Sequence, residues 1–213
     1  MINDKFLNIV KEKKIIAVIR SNQIDLAILM AKAVAKGGIN LIEITWNSEN
    51  PTKIIEILTQ ELPNCILGAG TILTKTHLKE VVKCSGKFVF CPHINLNLIK
   101  KAHQYQIPII PGALTPTEII TAWQNGATAV KVFPIASVGG VNYLKNLQSP
   151  LSHIPLIPTG GVTLDNAKKL IDAGAIAVGL GGDLFPKKLI ETKNWEAITE
   201  IATKLNKSLQ SVN

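Results

Sequence analysis

Ala127-Thr128-Ala129-Val130-Lys131-Val132-Phe133-Pro134 is an apolar, strand-like stretch with one cation in its middle. Removing an unpaired ammonium from water is costly, so lysine is rarely found fully buried. Two readings follow. Lys131 is either a lysine near a strand end whose head escapes into a cleft, or an amine that the protein uses. An amine held out of water is favoured in its neutral form, which is the nucleophilic one.

Working outward, seven other runs share this apolar character, at 15–20, 41–46, 65–71, 88–92, 108–113, 155–160 and 175–181. With 129–134 they make eight, starting every 20–26 residues. Runs this continuously apolar suit parallel strands covered by helices. Helix signals lie between them. Asn22-Gln23-Ile24-Asp25 leads into an amphipathic segment at 26–35 that stops at Gly37-Gly38. Thr115-Pro116-Thr117-Glu118 has a capping residue, a proline at the first helical position and a glutamate two further on. Thr163-Leu164-Asp165-Asn166 opens another helix, which stops at Gly174. The alternation predicts an α/β protein, a (β/α)8 TIM barrel, in a single domain over residues 1–213. An extra N-terminal helix at 4–13 would cap its bottom. The doubly wound alternative has fewer strands and needs a crevice where strand order reverses. Gly68-Ala69-Gly70 and Gly179-Leu180-Gly181-Gly182 match neither the dinucleotide fingerprint nor the P-loop.

The chain of 213 residues can bury a sizeable core. Its net charge of +8 raises the question of nucleic acid. The lysines, however, are spread along polar helix faces, and aromatics are only 5% of the residues, so no stacking platform accompanies them. A solvated basic surface with a mild attraction for anionic substrates is expected, with no nucleic-acid partner. Cys65, Cys84 and Cys91 show no C-x-x-C spacing, and no secretory leader or membrane-length apolar run is seen. A reducing, cytoplasmic setting is expected.

In a barrel of this kind the site forms at the C-terminal ends of the strands. Side chains alternate along a strand, so Leu41, Glu43 and Thr45 share one face and Ile42 and Ile44 the other. The two isoleucines belong against helices, which turns Glu43 inward. The same parity groups Ala129, Lys131 and Phe133. An acid and an amine then enter one cavity from different strands. A buried structural ion pair is the competing account, although it needs good geometry to offset desolvation. As a site, the pair suits Schiff-base chemistry: the amine adds to a ketone and the acid moves protons through carbinolamine, imine and enamine. The protonated imine is the electron sink, so the chemistry requires no metal or other cofactor. Cys91-Pro92-His93 lacks the partner pair of a metal site, and Cys91 reads more simply as a small buried thiol than as a nucleophile. His77, His103 and His153 fall on helix or loop patterns and are expected at the surface. Thr159-Gly160-Gly161 and Gly179-Leu180-Gly181-Gly182 close the last two runs. Barrel loops there commonly bind phosphate through backbone N–H groups, and glycines permit the close approach, although glycine also serves ordinary helix joints. Arg20, closing the first run, would supply charge beside them.

Several strings resemble one known family: Ile39-Asn40-Leu41-Ile42-Glu43-Ile44-Thr45, Gly68-Ala69-Gly70-Thr71, Cys91-Pro92-His93, Ile110-Pro111-Gly112, Ala129-Val130-Lys131-Val132-Phe133-Pro134 and Pro158-Thr159-Gly160-Gly161-Val162. In this order they are similar to the class I aldolases of 2-keto-3-deoxy-6-phosphogluconate (KDPG), a family that also handles 4-hydroxy-2-oxoglutarate (KHG). The resemblance covers nearly the whole chain. It implies a homotrimer of barrels cleaving a phosphorylated 2-keto acid to pyruvate and glyceraldehyde 3-phosphate. It assigns the Schiff base to Lys131 and acid/base work to Glu43. Thr71, Pro92 and Phe133 would line the pyruvate end. Arg20, Thr159, Gly160, Gly161, Gly181 and Gly182 would hold the distal end. Asn47 stands where many members carry arginine, and Gly182 where many carry serine, which removes one anion contact from each end.

Four rival readings stand beside it. The galactonate epimer of the substrate would use the same residues, and so would an oxaloacetate decarboxylase, because an imine serves either C–C scission. A non-catalytic sugar-phosphate-binding barrel would have no need of both Lys131 and Glu43. A sugar-phosphate isomerase would not need the strand lysine.

Overall fold

Parity on the second strand decides how the layers form. The computed structural model describes residues 2–210. It begins with α1 (Ile2–Lys13), β1 (Ile15–Ile19), α2 (Ile24–Lys36), β2 (Leu41–Thr45), α3 (Pro51–Glu61) and β3 (Ile66–Gly70). There follow α4 (Lys75–Lys83), β4 (Val89–Phe90), α5 (Leu96–Gln104), β5 (Ile109–Ile110), β6 (Gly112–Ala113) and α6 (Pro116–Gln124). The last third holds β7 (Val130–Val132), α7 (Val141–Leu151), β8 (Leu156–Pro158), α8 (Leu164–Asp172), β9 (Val178–Leu180), α9 (Lys187–Glu191) and α10 (Trp195–Gln210). Short 3-10 turns occupy Ile135–Val138 and Gly182–Leu184.

Every pairing is parallel, in a six-stranded sheet ordered β5-β4-β3-β2-β1-β9 and a three-stranded sheet ordered β6-β7-β8. The sheet is strongly curled, and this α/β architecture matches the alternation in the sequence. The expected single eight-stranded sheet is thus drawn as two. The fifth run divides at Pro111, which has no N–H to give to a ladder. Hydrogen bonds cross both gaps. Thr128 N donates to Ile109 O at 2.9 Å and Lys131 N to Pro111 O at 2.9 Å; at the other gap Ile176 N donates to Leu156 O at 3.0 Å. Thr159 and Gly179 form a further parallel bridge there.

Ile42 and Ile44 pack in the large cluster between strands and helices, whereas Leu41 belongs to a separate inner cluster on the concave face. The inner cluster adds Ile16, Phe88, Phe90, Ile110, Ala129, Ile157 and Ala177, together with Phe6 and Val10 of α1. The N-terminal helix therefore plugs the end of the curled sheet where the strands begin. Phe6 lies against Phe88 with ring centroids 5.2 Å apart, and Phe88 meets Phe90 edge-on at 5.8 Å.

Local signals set the helix starts. Thr115 accepts from Glu118 N, while Glu118 Oε2 accepts from Thr115 N at 2.7 Å, the expected capping box. Thr163 and Asn166 form an equivalent box on α8. Gln23 caps α2 without a side-chain bond; instead Ser21 Oγ accepts from Gln23 N at 3.1 Å. Among the described residues no helix is long and apolar enough to cross a membrane.

If α1 is the plug of the inner cluster, Phe6→Ala should destabilise the fold by about 3–5 kcal/mol, the usual cost of emptying a buried phenylalanine site. Denaturant titration measures this, and a loss near zero would show that the inner cluster closes without α1.

Candidate active site

Lys131 sits at the centre of β7, between Gly112 of β6 and Ile157 of β8. Only 9% of it is exposed. Its Nζ lies 4.6 Å from the centroid of the Phe133 ring and 5.9 Å from that of Phe90. No hydrogen bond or ion pair links Lys131 to Glu43, so the pair is not a closed structural salt bridge. Glu43, at the centre of β2, is 2% exposed, and its Oε2 has no hydrogen-bond partner. Burial pushes the Glu43 carboxyl above its ordinary range, against the opposing pull first of Lys131 and then of Arg20. An apolar surround with an unpaired amine and a reluctantly ionised acid is an arrangement found at reactive sites.

These groups open into a cavity of about 310 Å3. It is lined by all the residues singled out from sequence: Arg20, Glu43, Thr71, Pro92, Lys131, Phe133, Thr159, Gly160, Gly161, Gly181 and Gly182. Phe133 is its partly exposed lip. Thr159 Oγ1 is buried there without a hydrogen-bond partner. Gly160 and Gly161 have φ of +78° and +83°, which disfavours any side chain, and a Cβ on Gly160 would come within 2.9 Å of the Phe133 ring. Thr71 has φ of +60°, a strained conformation for a β-branched residue.

Arg20 follows β1 with its side chain exposed and, among the described residues, in no ion pair. Its backbone is held from behind. Ser21 N donates to Ser48 Oγ at 3.2 Å, Ser48 Oγ meets Thr45 Oγ1 at 3.2 Å, and Glu49 N donates to Ser21 O at 2.8 Å. Beyond Arg20 the cavity joins a larger one of about 650 Å3, which shares Arg20, Gly181 and Gly182 and adds Asn22, Asn47 and Lys187. Asn47 thus lies on the Arg20 side and does not line the Lys131 cavity.

The structure also brings in residues that the sequence reading did not assign. Thr45 and Val18 line the Lys131 cavity, and so do Gly179 and Val162. Thr45 was signalled by sharing parity with Glu43. Val18 had no signal, because an inward valine looks like any core residue.

The remaining candidates separate. Cys91 packs in the helix-facing cluster, and burial pushes its thiol up to about 12, against the attraction of Lys131. At neutral pH it is an inert buried thiol, and His93 is exposed without bonding to it. His103 and His153 are exposed, as expected. His77 is not: it is half-buried, stacked 5.6 Å from Trp46 at the end of β2, with Nδ1 buried and unpartnered. Among the described residues no cluster of three or more His, Cys, Asp or Glu is placed to hold a metal.

A family model described as KDPG and KHG aldolase matches residues 6–201. The chain belongs to the KDPG and KHG aldolase family. It is 34% identical over 189 residues to the 2-dehydro-3-deoxy-phosphogluconate aldolase of Haemophilus influenzae, covering 88% of this chain and 89% of that protein. It is 31% identical to the KHG/KDPG aldolase of Escherichia coli, covering 88% of each. Its fold superposes with a TM-score of 0.86 on a KDPG aldolase of Legionella pneumophila that holds pyruvate as a covalent carbinolamine, at 28% identity over 93% of this chain and 97% of that one.

The raised acid of this aldolase-family site has a thermodynamic consequence. A carboxyl whose folded pKa is raised favours folding fully below its ordinary value of 4.5, and that contribution is lost as pH climbs through the raised value. Melting temperatures of wild type and Glu43→Gln should therefore diverge in favour of Gln between pH 4 and 8. Parallel curves would mean that Glu43 ionises as readily in the fold as out of it.

Proposed function

We propose that this protein is a Schiff-base (class I) aldolase that cleaves KDPG to pyruvate and glyceraldehyde 3-phosphate, and KHG to pyruvate and glyoxylate. The observation that carries this is one small cavity holding an amine without an ion pair on β7 and a buried acid on β2. The curated relatives are named for KDPG and KHG, and the Legionella relative has captured pyruvate as a carbinolamine, the first adduct of an amine with a ketone.

In this reading the free amine of Lys131 attacks the C2 ketone, and loss of water from the carbinolamine gives a protonated imine. Glu43 carries the protons of that dehydration. The Glu43 carboxylate then takes the proton of the C4 hydroxyl. As the aldehyde forms, the C3–C4 bond breaks and its electron pair flows into the imine to give an enamine. Return of a proton to C3 restores the imine, and water releases pyruvate and the free lysine. Thr71, Pro92 and Phe133 line the pyruvate end. Arg20, Thr159, Gly160, Gly161, Gly181 and Gly182 receive the distal phosphate.

The same reading takes residues 1–213 as one domain closed into a (β/α)8 barrel, for which the hydrogen bonds across both sheet gaps speak. It takes the molecule as a homotrimer, as the family resemblance implies, in the reducing, cytoplasmic setting that the free cysteines suggest.

Borohydride added with pyruvate should inactivate the enzyme by fixing pyruvate on Lys131, read by peptide mass analysis. Label on another lysine, or none, would sink the assignment. For the distal end, KDPG should have the higher kcat/KM, and Arg20→Ala should shrink its advantage over KHG about 10- to 100-fold, as expected for one charge-assisted contact. Equal losses on both substrates would remove Arg20 from phosphate recognition.

A further inference from the structure

Gly68-Ala69-Gly70 fits no nucleotide motif, and neither glycine has a positive φ, so no turn demands them. Both lie in β3 on the face shared with Glu43: Glu43 pairs in register with Gly68, and Thr45 with Gly70. Of the three inward positions of this strand, Ile66 packs on the inner cluster and the two nearer the C-terminal end are bare. Neighbours fill the space. A Cβ on Gly68 would come within 2.6 Å of Cγ of the Phe88 ring. A Cβ on Gly70 would overlap Oε1 of Glu43 outright and lie 2.9 Å from its Cγ. Glu43 thus starts opposite Gly68 and leans one inward step along β3, towards the strand's C-terminal end, where the Lys131 cavity opens.

Among the described residues no group hydrogen-bonds Glu43 Oε2, so besides the attraction of Lys131 and Arg20 it is the shape of the space that confines the carboxyl. We propose that Gly70 is a positioning residue for the reaction: by having no side chain, it is the seat of the Glu43 carboxyl and sets where the proton is taken and returned. This rests on the aldolase reading above. A glycine in a strand interior marks such a close approach, and a methyl group here fills the volume that the acid needs.

The test uses Gly70→Ala, Glu43→Asp and the double variant. The backbone at residue 70 accepts alanine, so the fold should persist while the acid is displaced. We expect kcat of Gly70→Ala to fall about 100-fold, towards the loss typical of a missing general acid/base, with KM unchanged. The shorter aspartate vacates the place of the new methyl. The double variant should accordingly turn over faster than the product of the two single losses. A Gly70→Ala enzyme with wild-type kcat, or single losses that simply multiply, would overturn the proposal. If Gly70→Ala melts too low to assay, adding Glu43→Ala should raise its melting temperature, since the colliding carboxyl is gone; no rise overturns the proposal equally. Borohydride trapping of pyruvate on the wild type separates the two levels. Absence of trapping defeats the aldolase reading, whereas trapping with an indifferent Gly70→Ala defeats only the seat.

Discussion

An amine and an acid share a small cavity without neutralising each other. Lys131 has aromatic faces for neighbours, and Glu43 has an oxygen with no partner at all. A tight ion pair would have stabilised the carboxylate, whereas burial here pushes the Glu43 carboxyl above its ordinary range. Among the described residues the two stay separate, each on its own strand and facing one cavity. The rest of the molecule supplies what this needs: a rigid curled sheet to hold the two strands, a helix layer to exclude water, and an aromatic floor.

That floor is continuous. Phe6 of α1 supports Phe88, Phe88 meets Phe90 edge-on, and Phe90 lies beneath the Lys131 amine. Packing at the start of the strands is thereby coupled to the environment of the amine near their ends. Lys131 is enclosed on the other side by Phe133, whose ring requires Gly160 to lack a side chain. Bare positions recur where a side chain lining the cavity leans. Gly70 stands beside Glu43 and Gly160 beside Phe133, one for close approach alone and the other for approach together with a positive φ.

Charge is arranged on two scales. The excess of lysine is spread over the helices, where exposed pairs such as Lys168–Asp172 at 3.2 Å add little to stability. At the cavity mouth, by contrast, Arg20 has its backbone secured by the Ser21–Ser48–Thr45 contacts and its head free of any ion pair. A cation held this way retains its attraction for an anion. Lys187 across the adjoining cavity pairs with exposed Glu191 at 3.7 Å and adds to the positive potential on that side.

Features that depend on near neighbours were legible in the sequence. The apolar runs, the capping box at Thr115, the helix start at Thr163, and the opposite faces of Glu43 and Ile44 follow from strand and helix periodicity and from short hydrogen bonds. The burial of Lys131 beside a cavity was legible as well, because a cation in an apolar strand is anomalous on any fold. Tertiary structure alone decided the rest. Pro111 divides a run only because β4 and β7 flank it on opposite sides. Asn47 lies on the Arg20 side because the chain turns away after Thr45, and His77 is half-covered because Trp46 reaches it. Gly70 acquires meaning only from the lean of Glu43, which pairs with Gly68 and brings its carboxyl to the place a Gly70 side chain would fill. Periodicity states which way a side chain points, whereas what it meets depends on residues brought across the sheet from elsewhere in the chain.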